Sequence, residues 1–144
     1  MALAATRDEL QRLLTAVPFT RRFGFTVASL GAGTCTLEVP FQAEFERPGG
    51  IVAGQVFMAA ADVAVWLAIM TRLGTRDSSV TLDLKTAFLR AVRRESFRCE
   101  ASVLKLGRQV IYGVATCVTA GGELATHHTV TYARPGAARP ALSP

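Results

Sequence analysis

The chain has 144 residues, 50% hydrophobic and 19% charged, with 16 Lys and Arg against 11 Asp and Glu for a net charge of +5. This is one domain of ordinary size, long enough to bury a core without staples and too apolar for its body to be intrinsically disordered. Its three cysteines, Cys35, Cys99 and Cys117, are scattered, odd in number and without metal-ligand spacing, which argues against a disulfide framework or a metal site and for a reducing cytoplasm.

The positive charge admits nucleic acid, an acidic surface or a phosphorylated small molecule as partner. The basic residues form no run of five, and no aromatic-interleaved, zinc-finger or helix-turn-helix pattern accompanies them, so nucleic acid is the weakest of the three. The N-terminus shows no basic start followed by a long apolar stretch, so no signal peptide is expected.

In chain order, residues 6–16 predict a short amphipathic helix, with Thr6 as N-cap, Glu9 as its capping-box partner and Leu10, Leu13 and Leu14 on one stripe. Pro18 ends it, and 19–25 reads as an aromatic-containing turn. Segments 25–30 and 35–40 alternate as two strands joined by the glycine turn at 31–34. A polar Pro-Gly loop, 42–50, leads into the stretch around which the rest is organised.

Between residues 55 and 70 the only polar side chains are Gln55 and Asp62, so the predicted helix is apolar round most of its circumference and belongs inside the protein. Its length would suit a membrane span, but a central Asp costs roughly 2.5–3.5 kcal/mol on insertion scales. There is also only one such segment, and strand-like sequence follows it, so a buried helix is the better reading. A lone carboxylate in such a helix is disfavoured in its charged form, which makes Asp62 a candidate general base.

Residues 80–89 alternate as a strand, Val80, Leu82 and Leu84 on one side and Thr81, Asp83 and Lys85 on the other, with a slip in the pattern near Ala87 that admits a bulge or bend there. After a polar break at 90–96, strands are predicted over 97–106, 109–119 and 124–132, separated by tight turns at Gly107-Arg108 and Gly121-Gly122. The Pro/Ala-rich tail, 135–144, reads as disordered. Residues 1–134 thus form one α+β domain: an N-terminal helix, then a curved antiparallel sheet of five to six strands wrapped around one long central helix, the long strands after that helix running as a meander. A helix covered on one side only leaves its other face bare, which predicts a homo-oligomer.

These elements carry a family resemblance. The order of loop, Gly-Gly, helix with Asp, strands, Gly-Arg turn and Gly-Gly turn resembles the hotdog fold. The details, over residues 20–134, resemble the PaaI-like acyl-CoA thioesterases: Arg47-Pro48-Gly49-Gly50 followed by Gly54 and Asp62, then Val80 to Leu84, Phe88-Leu89-Arg90 and Leu104 to Gln109. The family commonly places His-Gly-Gly where this chain has Ala53-Gly54-Gln55, and an Asn near the position of Arg47, so side-chain roles there do not transfer, whereas Gly54 and the backbone amide of Gln55 do. The resemblance implies hydrolysis of an acyl-CoA thioester without a cofactor, Asp62 as base or nucleophile, Thr81 positioning the water, and a dimer or tetramer in the cytoplasm. It gives no reason to expect a membrane or nucleic acid partner.

Elementary chemistry agrees with that implication. A thioester already has a good leaving group, so its hydrolysis needs an activated water or nucleophile and donors to the developing oxyanion. Free backbone N–H groups at a helix start, at Gly54 and Gln55, supply such donors. Asp62 lies two turns beyond Gln55 on the same face, about 10 Å along the axis, too far to serve the same carbonyl. A working site therefore takes its Asp from another subunit.

Arg90, Arg93 and Arg108 are candidate contacts for the phosphates of coenzyme A, each also readable as a solvated surface residue. His127 and His128 read as structural, and Phe57, Met58 and Trp66 as core. Two other functions stand beside thioester hydrolysis: a non-catalytic acyl-CoA-binding module, favoured by Ala53 and Arg47, and a hotdog hydratase or dehydratase, which Ala53 disfavours by removing the usual His.

Overall fold

The long apolar segment forms α3 (Gly54–Leu73), a 20-residue helix whose side chains at Leu67, Ile69 and Met70 are fully buried. The structure, a computed structural model, describes residues 2–135; the predicted tail lies outside the described residues except for its first position. Before α3 come α1 (Arg7–Ala16), α2 (Pro18–Arg21), β1 (Thr26–Gly31), β2 (Thr34–Val39) and two short strands, β3 (Glu46–Arg47) and β4 (Ile51–Val52). After it come β5 (Val80–Phe88), β6 (Phe97–Leu106), β7 (Val110–Thr119) and β8 (Leu124–Ala133). By length and composition α3 could cross a membrane, but here it is the core helix, wrapped by the sheet.

Local signals account for the helix ends. Thr6 and Glu9 form the reciprocal capping box at the start of α1, satisfying amide groups that the first turn leaves open. The segment expected as a turn before β1 instead contains α2, because Pro18 fits a first helical position. Gly74, with φ +88°, ends α3.

Six antiparallel strands form one sheet in the order β1-β2-β6-β7-β8-β5, in which β6, β7 and β8 form the expected meander while the two strands flanking the central helix in sequence go to either side of it. β2 takes the place beside β6, so β5 lies beyond β8 at the opposite edge and the 89–96 segment must carry the chain back across the sheet. The concave face packs on α3 through Leu37, Phe97, Cys99, Ile111, Ala115 and Val130, all at most 2% exposed. At Gly113 β7 comes so near the helix that a Cβ would lie 2.9 Å from Val65 Cγ1; a residue without a side chain permits that approach. The three cysteines are free and buried on β2, β6 and β7, and burial pushes the Cys35 thiol up to about 12.

The two sheet edges are treated differently. Along β1, Arg7 Nε donates to the Val27 carbonyl at 2.7 Å, Gln11 Nε2 to the Phe25 carbonyl at 3.1 Å, and the Val27 amide to Gln11 Oε1 at 2.8 Å. The N-terminal helix therefore occupies hydrogen-bonding groups that an edge otherwise offers to another strand. Among the described residues β5 carries no such cover, and Val80, Leu82 and Phe88 on it are each more than half exposed.

β5 also departs from its predicted alternation. The register is regular from Asp83 to Phe88, where the pattern admits a bulge or bend near Ala87, and shifts instead between Thr81 and Asp83. One extra residue, Leu82, reverses the parity of everything before it. Thr81 is thereby paired with Tyr132 on the face of Leu84 and Thr86, toward the helix, rather than with Asp83 and Lys85.

Candidate active site

On α3 the incompletely buried positions Gln55, Met58, Ala59, Asp62 and Trp66 recur every three or four residues, the spacing of one helical face. This is the stripe that the sheet leaves open, and Asp62 lies in its middle. Thr81 Oγ1 donates to Asp62 Oδ1 at 2.8 Å, and the Tyr132 hydroxyl donates to the same oxygen at 2.6 Å while lying 2.9 Å from the Asp62 main-chain carbonyl. Asp62 is thus neither buried on all sides nor isolated among apolar groups, as the sequence suggested; two strands supply it with hydroxyl donors. Both donors go to one carboxylate oxygen, and Oδ2 has no partner among the described residues.

Tyr132 is the residue that sequence reasoning missed. Burial first, and then the Asp62 charge and the hydrogen bond to it, push its phenol well above the ordinary range, so it stays protonated and donates. No motif spacing announces it. Its place on the helix-facing side of β8 was the only available signal, and that signal also fits an ordinary core aromatic.

The start of α3 forms a second polar station. Ala53 is the N-cap and has no side chain to cap the helix. The Val56 amide reaches the Ala53 carbonyl at 3.0 Å, but the Gly54 and Gln55 amides find no acceptor among the described residues, as the first turn of a helix predicts when no side chain intervenes. A cavity of about 670 Å³ lies against them, lined by Arg47, Gln55, Phe57, Met58, Phe88 and Arg90 among others. A Cβ on Gly54 would lie 2.9 Å from Phe88 Cε1, so glycine lets the Phe88 ring rest over the helix start.

Arg90 stands at this cavity and pairs with Glu123 at 3.1 Å on the surface. Arg93 is nearby, its Nη1 donating to the Gly49 carbonyl at 2.8 Å, and Arg94 pairs with Glu46 at 2.9 Å, so the two arginines tie the Gly49-Gly50 loop to the 90–96 segment. Arg108 lies in the β6–β7 turn, at the far end of strands that run back to Phe97 and Thr119, roughly 30 Å away along the strand. Within one chain the candidate residues therefore fall into two groups: Gly54, Gln55, Arg90 and Arg93 at one end of the sheet, and Asp62, Thr81 and Arg108 toward the other. His128 is buried between the hydroxyls of Thr86 and Thr126, each 2.7 Å from a ring nitrogen, and His127 lies on the opposite face of β8. No group of three or more His, Cys, Asp or Glu among the described residues is arranged to hold a metal.

A six-stranded antiparallel sheet curved round one long helix is the hotdog fold. The sequence matches the thioesterase superfamily over residues 49–126, more than half of the chain, and the chain belongs to that superfamily. A protein of Saccharolobus solfataricus named provisionally as an esterase is 35% identical over 98 residues, covering 68% of this chain and 69% of the relative. Another of Thermoplasma acidophilum, likewise named, is 25% identical over 125 residues, 87% of this chain and 94% of the relative. The crystal structure of a protein from Silicibacter, described provisionally as a thioesterase, superposes with a TM-score of 0.84 at 29% identity, covering 94% of this chain and 95% of that one.

Proposed function

We propose that the protein hydrolyses acyl-CoA thioesters to the free acid and coenzyme A, in the manner of the PaaI-like branch of the superfamily, at sites shared between two cytoplasmic subunits. The observation that carries this reading is Asp62, oriented by hydrogen bonds on Oδ1 while Oδ2 has no partner among the described residues, on the same helix whose uncapped amides border the cavity.

In the proposed reaction, Asp62 Oδ2 accepts a proton from water as the water oxygen bonds to the thioester carbon. The carbonyl oxygen takes the negative charge and accepts hydrogen bonds from the Gly54 and Gln55 amides, aided by the positive end of the helix dipole. Collapse of the tetrahedral adduct breaks the C–S bond, and the departing thiolate takes the proton held by Asp62, leaving acid and thiol. Asp62 acting as nucleophile, through a mixed anhydride that water then opens, uses the same geometry. Thr81 holds the carboxylate in place. The reaction uses water and protein groups alone, with no cofactor.

The site requires a second chain, since the amides and Asp62 of one helix lie about 10 Å apart. Antiparallel pairing of two bare β5 edges about their middle sets the Thr81 end of one strand against the Phe88 end of the other, and so brings each Asp62 toward the other chain's helix start. The same operation brings the Arg108 end of one subunit toward Arg90 and Arg93 of the other, as joint contacts for the phosphates of coenzyme A. A dimer is the minimal unit, and pairing of dimers into a tetramer leaves these sites unchanged.

A thiol-release assay across acetyl-, hexanoyl-, palmitoyl- and benzoyl-CoA tests the reading. Release of coenzyme A from at least one of them is expected; no release from any sinks the enzymatic reading, and binding of the same thioesters without release selects the non-catalytic module instead.

A further inference from the structure

We infer that Tyr132 is a positioning residue of the reaction, which together with Thr81 confines the reactivity of Asp62 to Oδ2. This rests on the hydrolytic reading of the site above.

The geometry is specific. Thr81 and Tyr132 are cross-strand partners on β5 and β8, brought opposite one another by the bulge at Leu82. Their hydroxyls converge on one oxygen of Asp62, at 2.8 and 2.6 Å, and Tyr132 also lies within hydrogen-bond distance of the Asp62 carbonyl. The second contact fixes the hydroxyl against the helix backbone as well as against the side chain, so a single group sets the carboxylate's rotation relative to α3. A carboxylate free to turn presents either oxygen. One anchored at Oδ1 presents only Oδ2, on the exposed stripe where a second subunit would bring the thioester.

The anchor is also one-directional. Tyr132 is 4% exposed, and the charged groups that act on its hydroxyl are Asp62 from α3 and Asp77 from the segment before β5, both acidic. Both disfavour the phenolate, so Tyr132 donates its proton to the carboxylate and does not accept one. Tyrosine at this position supplies what phenylalanine, the ordinary filler of such a core site, would not.

The test is the isosteric change Tyr132→Phe, which keeps the ring in the core, compared with Asp62→Asn and Thr81→Val on whichever acyl-CoA above is turned over fastest. A hydrogen bond to a charged group predicts that Tyr132→Phe lowers kcat about 10- to 100-fold. KM should be preserved, because the lost contact does not touch substrate. Thr81→Val should lower kcat in the same way, with KM again preserved. An unchanged kcat in Tyr132→Phe, a rise in KM that accounts for the lost activity, or a loss of activity that follows only a lowered melting temperature, overturns the inference. Should Asp62→Asn hydrolyse as well as the parent, the hydrolytic reading of the site itself falls; should Asp62→Asn be inactive while Tyr132→Phe matches the parent, only the role of Tyr132 falls.

Discussion

Replacing Asp62 by Asn is expected to lower hydrolysis of acyl-CoA by roughly 10²- to 10⁴-fold, the usual contribution of a positioned acid–base group. The substitution is close to a pure test of chemistry. The Asn oxygen still accepts from Thr81 and Tyr132, which both donate to one side-chain oxygen in the parent, while an amide NH2 replaces Oδ2. Nothing in the core is enlarged or emptied, so thermal unfolding should be little changed. Initial rates of thiol release beside a melting curve check both halves of the expectation.

The second large effect is expected at the other station. Gly54→Pro removes one backbone donor at the helix start, and loss of a single oxyanion donor costs about 10²- to 10³-fold in kcat. The backbone there suits proline: Ala53 is extended, with φ −62° and ψ 141°, as the residue before a proline prefers, and Gly54 is the first helical position, where proline is well tolerated. The added ring meets Phe88, but that side chain is more than half exposed and can turn aside. Activity should fall while sedimentation still reports the assembled oligomer.

Much of the fold was legible because its signals are local. The capping box of Thr6 and Glu9, the uninterrupted apolar run of α3 and the alternation in the later strands each follow from a few neighbouring residues. What was not legible depends on distant parts of the chain. That β5 leaves β6 for the far side of β8 follows from β2 occupying the intervening place, which no periodicity encodes. The parity of Thr81 turned on a single bulged residue: simple alternation aims it away from the helix, and only the family resemblance pointed to it. Tyr132 meets Asp62 across 70 residues of sequence, with nothing in its surroundings to separate it from a core aromatic. Gly54 and Gln55 were readable as free donors because the first turn of any helix leaves its amides without an intrahelical acceptor. The separation of those amides from Asp62 was likewise readable from helical rise alone, and it is what makes the second subunit necessary.

That necessity is the central claim, and mixing two inactive variants tests it most directly. Asp62→Asn and Gly54→Pro chains, co-expressed and purified together, should recover activity, because each mixed dimer pairs an intact Asp62 from one chain with intact helix-start amides from the other. Random association of two-fold dimers puts one working site in half of them, or roughly a quarter of the parent activity. Activity no higher than that of the two separate variants, in a preparation shown by mass spectrometry to contain mixed dimers, would contradict a site shared between subunits.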